Sequence, residues 1–320
     1  VNKIDSKSQW DNVYDFYELG LDMPFAVSGA NAIGLGDLLD EIVKNFPDGL
    51  NTEYDEDVIK VAITGKPNAG KSSILNNILG EERVIVSPIA GTTRDAIDTY
   101  FEQGDNKFLL IDTAGIRRRS KVYENVERFS VIRSMSAVDR ADVVLIVIDA
   151  TEGVTEQDTK IAGIAHDEGK ACIFVVNKWD LVEKDNKTMG NYKMSIREKF
   201  PFMSYAPIVF VSAVTNQRIA KILETVVSVS SEQNKRVSTS VLNQVIAEAV
   251  MLNQPPSDKG RRLKIYYGTQ TGVKPPTFTL FINDKELTHF SYTRYIENRM
   301  RENFGYEGTS IRIDYKQKRR

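Results

Sequence analysis

The chain has 320 residues, more than one hydrophobic core usually organises, so two or three domains are expected. Hydrophobic residues make up 41% and charged residues 27%, which excludes a disordered or fibrous chain, and a single cysteine excludes a disulfide framework or a multi-cysteine zinc site. The formal net charge is only -2, and the sequence shows neither a long apolar run nor a signal-peptide pattern. We expect a cytoplasmic, monomeric protein that does not enter a membrane.

Short β-branched runs alternate with segments of helical period between residues 58 and 227. The predicted strands are Val58–Thr64, Phe108–Asp112, Val143–Asp149, Ala171–Asn177 and Pro207–Ser212. The predicted helices are Lys71–Leu79, Glu124–Val138, Thr155–His166, Tyr192–Phe200 and Gln217–Val227. This alternation of apolar strands with helices is typical of a doubly wound α/β domain, in which ligands bind beyond the carboxyl ends of the strands.

Polar segments bound this domain on both sides. Residues 47–57 are acidic and turn-rich, which predicts a linker, and the Ser-rich residues 228–236 predict another. The α/β domain therefore spans 58–229, and residues 234–320 form a second unit with a local charge of +8 on an otherwise acidic chain. The predicted elements of this α+β unit are helices Ser240–Leu252 and Tyr292–Asn303 and strands Leu263–Tyr267, Thr277–Ile282 and Ser310–Asp314.

The start of the chain repeats part of the α/β domain. Residues 1–5 (Val-Asn-Lys-Ile-Asp) match residues 176–180, and residues 25–30 match residues 209–214 in the same order. We interpret residues 1–46 as the last third of another copy of the domain, whose front part is missing from this chain. The positions that would form its residual base site are Asn2, Lys3, Ile4, Asp5 and Ser28.

Residues 65–72 read Gly-Lys-Pro-Asn-Ala-Gly-Lys-Ser between a predicted strand and a predicted helix. This pattern is typical of a phosphate-binding loop, whose backbone N–H groups close around an anion at the positive end of the helix. We expect Lys71 to reach the β- and γ-phosphates and the Ser72 hydroxyl to ligate Mg²⁺.

Two further segments point to the γ-phosphate. Asp112 ends a predicted strand and can hold Mg²⁺ through water, while the amide of Gly115 can sense the γ-phosphate. Residues 90–95 can form a loop in which Thr93, or failing it Thr92, completes the Mg²⁺ shell. The predicted catalytic residues are Lys71, Thr93, Asp112 and Gly115.

The sequence Asn177-Lys178-Trp179-Asp180 predicts a guanine site. The Asp180 carboxylate can accept hydrogen bonds from the guanine N1–H and amine, and the Ser212-Ala213 turn can bring a backbone N–H to O6. The predicted GTP-binding residues are Gly65, Lys66, Pro67, Asn68, Ala69, Gly70, Lys71, Ser72, Ser73, Asp112, Thr113, Ala114, Gly115, Ile116, Asn177, Lys178, Trp179, Asp180, Ser212 and Ala213. Because Ile116 stands where small GTPases often place a glutamine, slow intrinsic turnover is expected.

Basic residues suggest contacts with RNA phosphates. The candidates in the C-terminal unit are Arg261, Arg262, Lys264, Lys274, Lys316, Lys318, Arg319 and Arg320. The run at residues 117–121 is either a solvated loop or a switch that contacts RNA or another domain. We interpret Gly305-Tyr306-Glu307-Gly308 as a helix C-cap, because it joins a helix to a strand and contains an acidic residue, unlike an RNA-binding clamp.

These motifs, in this order, resemble the bacterial tandem G-domain GTPases called Der or EngA over essentially the whole chain. The resemblance implies a P-loop GTPase with a doubly wound sheet, followed by a small α+β KH-like domain, with residues 1–46 as the tail of the first G domain. It implies GTP hydrolysis to GDP and phosphate during assembly of the large (50S) ribosomal subunit, with GTP, Mg²⁺ and rRNA as partners. It also implies a K⁺ ion held by Asn68 beside the phosphates.

Two other functions remain open. The first is that of the tRNA-modification G proteins, although these carry a reactive cysteine near the C-terminus and no cysteine follows Cys172 here. The second is an RNA-binding scaffold with vestigial nucleotide binding, against which the intact Lys71, Ser72, Asp112 and Asp180 argue.

Overall fold

The computed structural model describes residues 1–6, 9, 13–14, 16, 24–31, 33–44, 57–80, 84–86, 98–113, 135–258 and 260–318. Contacts divide the chain into two compact units, Val1–Glu56 and Asp57–Arg320. The predicted linker at residues 47–57 lies outside the described residues except for Asp57.

The first unit contains helix α1, Leu35–Lys44, and a short bridge between Ser28 and Ile33. The Val27 N–H donates to the Val1 carbonyl (2.9 Å), and the Ile4 N–H donates to the Val27 carbonyl (3.1 Å). These bonds hold residues 1–4 beside residues 25–28, as adjacent strands would be.

In the second unit, seven strands of the described residues form one sheet in the order β2-β3-β4-β1-β5-β6-β7. Their bounds are β1 Val58–Thr64, β2 Val84–Val86, β3 Thr99–Gln103, β4 Asn106–Ile111, β5 Val143–Asp149, β6 Ala171–Asn177 and β7 Ile208–Phe210. The run β4-β1-β5-β6-β7 is parallel, and β2 and β3 extend it as antiparallel edge strands. Every residue of β5 and β6 is buried, as expected for central strands covered on both faces.

Four helices of the described G-domain residues are α2 Lys71–Leu79, α3 Glu156–Asp167, α4 Thr188–Lys199 and α5 Ile219–Asn234. Helix α3 begins with a capping box in which the Thr155 hydroxyl and the Asp158 carboxylate satisfy each other's backbone N–H groups. The helix predicted over 124–138 is described only from residue 135, and residues 135–140 are helical. The predicted α/β architecture is therefore confirmed.

The prediction of a polar linker over residues 228–236 was wrong for most of its length. Helix α5 continues to Asn234, because Val229, Ser230 and Gln233 follow the helical period and are buried. A serine-rich stretch read by composition alone thus conceals the last two turns of a packed helix. The boundary between the predicted domains 58–229 and 234–320 stays a prediction.

The C-terminal part packs helices against one face of a small sheet. Its helices are α6 Thr239–Leu252 and α7 Phe290–Phe304, and its strands are β8 Ser257–Asp258, β9 Arg261–Arg262, β10 Ile265–Gly272, β11 Thr277–Ile282 and β12 Arg312–Gln317. Strands β10, β11 and β12 form a sheet in that order, antiparallel and then parallel. Buried residues of α6, α7 and β11 form one hydrophobic cluster that includes Phe278, Leu280, Ile296 and Met300.

The loop after α7 joins this part to the G domain. The Gly308 N–H donates to the Tyr205 carbonyl (2.9 Å), and the Cys172 N–H at the start of β6 donates to the Gly308 carbonyl (2.7 Å). The Tyr306 N–H donates to Glu232 Oε2 at 2.7 Å. Gly305 ends α7 with its N–H bonded to the Arg301 carbonyl (2.9 Å), which confirms the predicted C-cap. The loop therefore continues the edge of the G-domain sheet.

Candidate nucleotide-binding site

The loop between β1 and α2 curves around the Lys71 side chain. The Lys71 ammonium donates to the carbonyls of Gly65 (2.7 Å) and Lys66 (2.5 Å). The ammonium is thereby held over the loop whose N–H groups lead into α2, where the partial positive charge of a helix N-terminus lies. Such an arrangement concentrates positive potential for a phosphate.

Gly70 is required by the close approach of another segment. Its φ is +94°, and a Cβ built there would overlap the Asn177 amide nitrogen. Any larger residue would therefore separate the phosphate loop from the end of β6. The strand–loop–helix pattern predicted that Gly70 belongs to a phosphate-binding loop, but only the fold shows that Asn177 lies against it.

Asn177 joins three segments of the site. Its amide Nδ2 donates to the Ala69 carbonyl (2.9 Å), and its Oδ1 accepts from the Ala213 N–H (3.0 Å). From α2, Asn77 Nδ2 donates to the Ala213 carbonyl at 2.6 Å. The phosphate loop, the end of β6 and the turn after β7 are thus held at one edge of the sheet. The Ala213 amide is taken up by this bridge rather than aimed at a base.

Lys178 is held at this edge by Asp149, which sequence reasoning missed. Lys178 has a left-handed φ of 62°, and its ammonium lies 2.6 Å from Asp149 Oδ2 at the end of β5. Burial raises the pKa of Asp149, but hydrogen bonds from Lys178 and Thr151 outweigh it, so the pKa lies below its usual value. The sequence shows an aspartate at the end of β5, but its contact with Lys178 follows only from β5 lying beside β6 in the sheet.

Trp179 and Asp180 follow in a short 3₁₀ turn, Trp179–Leu181. The Trp179 ring is buried against Phe210 and Tyr192, with centroid distances of 4.4 and 5.5 Å. Packing of the indole fixes the turn and hence the direction of the next side chain. The Asp180 Oδ1 is shielded from solvent and has no hydrogen-bond partner among the residues that the structure describes. It is an acceptor placed for a donor that the described part of the chain does not supply.

The end of β4 is tied to its neighbour β3. The Asp112 N–H donates to Asp98 Oδ1 (3.0 Å), and the Thr113 and Thr99 hydroxyls are 2.8 Å apart. Asp98 also pairs with Arg140. This fixes the backbone that carries Asp112. The other residues predicted to meet the γ-phosphate, Thr92, Thr93, Ala114, Gly115 and Ile116, and the basic run 117–121, lie outside the described residues.

Lys66 extends the phosphate loop toward the turn after β5. Its side chain is largely buried and forms an ion pair with Glu152. Asn68, with a φ of 62°, is exposed at the tip of the loop. The contact with Glu152 was not predicted, because it depends on the crossing of two loops far apart in sequence.

The first unit reproduces the geometry of the base-site turns. Asn2 Oδ1 accepts from the Gly29 N–H (3.1 Å), as Asn177 does from Ala213, and Lys3 has a left-handed φ of 70°, as Lys178 does. Ser28 pairs with Ile33 as Ser212 pairs with Gln217. One difference is that the Ser28 hydroxyl donates to Asp5 Oδ1 at 2.5 Å. The repeat inferred from sequence therefore extends to backbone conformation.

The predicted RNA-contact residues do not form one group. Arg261 pairs with Asp284 (2.9 Å), Arg262 bonds Gln254, and Lys274 lies 3.7 Å from Asp142 of the G domain. Lys264, Lys316 and Lys318 are exposed at one end of the C-terminal sheet. Arg319 and Arg320 lie outside the described residues. Among the candidates that the structure describes, Lys264, Lys316 and Lys318 are exposed at the same end of the sheet and take part in no ion pair, unlike Arg261 and Lys274.

A loop with a lysine-carrying helix N-terminus, an Asp at the adjacent strand end and an Asn-Lys-Trp-Asp turn define a P-loop GTPase. A family model described as "50S ribosome-binding GTPase" matches residues 60–178, and one described as "KH-domain-like of EngA bacterial GTPase enzymes, C-terminal" matches residues 236–316. GTPase Der of Alkaliphilus metalliredigens is 64% identical over 318 residues, covering 99% of this chain and 72% of that protein. GTPase Der of Geobacillus kaustophilus is 57% identical over 313 residues, 98% of this chain and 72% of that protein. The chain belongs to the Der (EngA) family of GTPases.

Among solved structures, Era of Aquifex aeolicus bound to GDP and aluminium fluoride is 21% identical, covering 82% of this chain and 93% of that chain with a TM-score of 0.42. No described helix of the present chain has the length and apolar character needed to cross a bilayer.

Proposed function

We propose that this chain binds GTP at the edge of the sheet formed by the ends of β1, β4 and β6 and couples its hydrolysis to work on the large ribosomal subunit in the cytoplasm. The observation that carries the base assignment is the solvent-shielded Asp180 Oδ1, which no described residue of the chain hydrogen-bonds. Guanine offers its N1–H and 2-amino group to such an oxygen, whereas adenine has an unprotonated N1 and no 2-amino group. The proposed binding set is the one predicted from sequence, except that Ala213 would act through its bond to Asn177 rather than by direct contact with the base.

The remaining binding residues divide by the part of the nucleotide they would contact. Lys71 and the N–H groups of the loop would neutralise the phosphates, and Asn177 would fix the base-side turns against that loop. Holding the two ends of the nucleotide by connected segments would fix the position of the γ-phosphate for attack by water.

The donor set fits Mg²⁺, a hard cation that prefers oxygen ligands. Ser72 lies in the first turn of α2 and Asp112 directly follows β4, so both lie at the same edge of the sheet. With Thr93, these are the residues that would hold the ion. When bound, Mg²⁺ offsets the negative charge that the phosphates accumulate.

A monovalent ion is the proposed source of further positive charge near the phosphates. Asn68 lies at the exposed tip of the loop, where its amide oxygen can ligate K⁺. Because Ile116 cannot orient the attacking water as a glutamine does, the positive charge of K⁺ would stabilise the phosphates during hydrolysis instead.

Ribosomal action is proposed from the family and from charge. The matched family model describes a ribosome-binding GTPase, and the C-terminal part carries the +8 local charge on an otherwise acidic chain. Such an asymmetry lets one part of the protein meet RNA phosphates while the other is repelled. The first unit contributes base-site turns, and whether they bind nucleotide is part of what the test below measures.

The test of the base assignment is a change of base preference. Asp180→Asn should weaken GTP binding by about 100-fold or more, because hydrogen bonds to a charged acceptor are lost, and should improve binding of xanthosine triphosphate. Asp105→Asn, in the exposed turn between β3 and β4, is the matched control and should change neither affinity. Calorimetric titration with both nucleotides gives the answer. An unchanged GTP affinity in Asp180→Asn would refute the assignment. If this variant still binds GTP weakly and binds xanthosine triphosphate no better than the unsubstituted chain does, the nucleotide would be bound in the first unit.

A further inference from the structure

The loop at residues 305–308 cannot serve as a nucleic-acid clamp. Tyr306 is fully buried, and both backbone groups of Gly308 are hydrogen-bonded to the G domain. An RNA strand could reach this loop only if those contacts were broken. Any direct contact of the C-terminal part with RNA must therefore use another surface.

An aromatic and basic row crosses the outer face of the C-terminal sheet. Tyr267 pairs with Phe281, and Phe281 pairs with Lys316, so that all three side chains lie on one face. Their neighbours Leu280 and Ile282 point to the opposite face and are buried in the core. The rings of Tyr267 and Phe281 are stacked, with centroids 4.3 Å apart and planes inclined by 14°. Phe281 thus supports Tyr267, whose side chain stays 41% exposed.

A bulge adds another tyrosine to the same row. The register of β10 shifts between Ile265 and Tyr267, which leaves Tyr266 as an extra residue opposite β11. Tyr266 is 51% exposed, and the Lys318 ammonium lies 5.5 Å from its ring centroid. Lys318 is two residues beyond Lys316 and so shares its face. We call Tyr266, Tyr267, Phe281, Lys316 and Lys318 the aromatic face.

The position of the aromatic face leaves it open to a large partner. It lies at the end of the sheet where Ile265 pairs with Ile282, whereas the opposite end carries Lys274, which contacts Asp142 of the G domain. Lys264 is exposed at the same end and adds positive charge. Asp314 shares the face two residues before Lys316, toward the other end. Phosphate binding is therefore favoured beside Lys316 and Lys318 and disfavoured beside Asp314.

We propose that the aromatic face binds single-stranded RNA, with adjacent bases stacked on Tyr266 and Tyr267 and phosphates paired with Lys316 and Lys318. Exposed aromatic rings flanked by lysines have the composition of a stacking platform, and every base offers a π face to them. Base-paired RNA cannot stack in this way, because its bases are already covered by their neighbours. The inference rests on the proposed function, since the ribosomal subunit is the RNA that the protein would meet.

The experiment is fluorescence anisotropy with the 320-residue chain and a labelled oligouridine of about 12 nucleotides at low salt, with an RNA duplex of the same length as competitor. Tyr266→Ala and Tyr267→Ala should each weaken binding about tenfold, since each removes one stacked base, whereas Tyr267→Phe should stay within about twofold. Lys316→Gln and Lys318→Gln should each lower the slope of log affinity against log salt by about one. Phe290→Ala, an exposed aromatic (72%) on helix α7, and Lys160→Gln, on α3, are matched controls and should bind as the unsubstituted chain does.

Thermal unfolding of each variant separates loss of binding from loss of folding, and the tyrosine-to-phenylalanine variant keeps the packing. Equal affinity of the alanine variants and the unsubstituted chain, or equal affinity for oligouridine and duplex, would overturn the proposal. Failure of the chain to bind oligouridine while it binds large ribosomal subunits would overturn the proposal alone and point to a protein partner for the aromatic face. Failure to bind either would contradict the ribosomal function as well.

Discussion

Gly308 is the position at which a small change should most directly separate the C-terminal part from the G domain. Its φ is +78°, and a Cβ built there would lie 2.6 Å from Val229 Cγ1 and 3.0 Å from Val229 Cβ. Val229 is itself buried in helix α5, so it has little room to move. Gly308→Ala therefore combines backbone strain with overpacking.

The magnitude follows from these two contributions. The left-handed backbone costs a non-glycine residue about 1–2 kcal/mol, and overpacking adds about 1–3 kcal/mol. Gly104→Ala is the matched control, because Gly104 also has a positive φ of +60° but has nothing within 4 Å of its Cβ position. The control should show the strain alone, so the difference between the two variants measures the overlap with Val229.

Urea unfolding followed by circular dichroism measures both variants, and Val229→Ala completes a double-mutant cycle. Relief of the overlap should give a coupling of about 1–3 kcal/mol between positions 308 and 229. Equal destabilisation by Gly308→Ala and Gly104→Ala, or additive effects in the cycle, would refute the view that this loop is packed against α5. A transition that splits in two would show that the two parts unfold separately.

Three further predictions concern single residues. Replacing K⁺ by Na⁺ should lower GTP turnover, measured by phosphate release, and Asn68→Ala should abolish the difference; equal rates in both salts would leave Asn68 as a loop residue. Burial lowers the pKa of His166, so the folded state favours neutral imidazole and the free energy of unfolding falls as the pH drops below about 6.5. In urea unfolding at pH values from about 7.5 to 5.5, His166→Gln should lose less of this free energy than the unsubstituted chain. The same pH dependence in both proteins would contradict the prediction. Thr155→Ala removes a hydroxyl of the α3 capping box and should cost about 1 kcal/mol of unfolding free energy, whereas Thr159→Ala, one turn into the helix, should cost less.

The central strands and the phosphate loop were predictable because their signals are local. Runs such as residues 143–148 are apolar throughout, and a parallel sheet covered on both faces requires that. Strands β2 and β3 at the margin of the sheet were not predicted, because β3 (Thr-Tyr-Phe-Glu-Gln) mixes polar and apolar residues and β2 has only three residues. Local pattern thus finds the core of a sheet better than its margin.

Contacts between distant segments could not be predicted, because they depend on topology. Lys178 meets Asp149, and Lys66 meets Glu152, only once β5 is placed between β1 and β6. The bulge that brings Tyr266 beside Tyr267 likewise depends on the register of β10 against β11. The sequence shows which charged and aromatic residues could interact, but the pairing of the strands determines which of them are in contact.

Strand β6 connects the nucleotide site with the C-terminal part. Near its start, the Cys172 N–H is bonded to the Gly308 carbonyl, and the strand ends at Asn177, which bridges the phosphate loop and the turn after β7. Burial raises the pKa of the Cys172 thiol, so this end of the strand is an inert part of the core. A strand hydrogen-bonded on both sides transmits position and bends little. We therefore expect the base-site turns and the C-terminal part to keep a fixed relation, so that nucleotide-dependent rearrangement involves other segments of the protein.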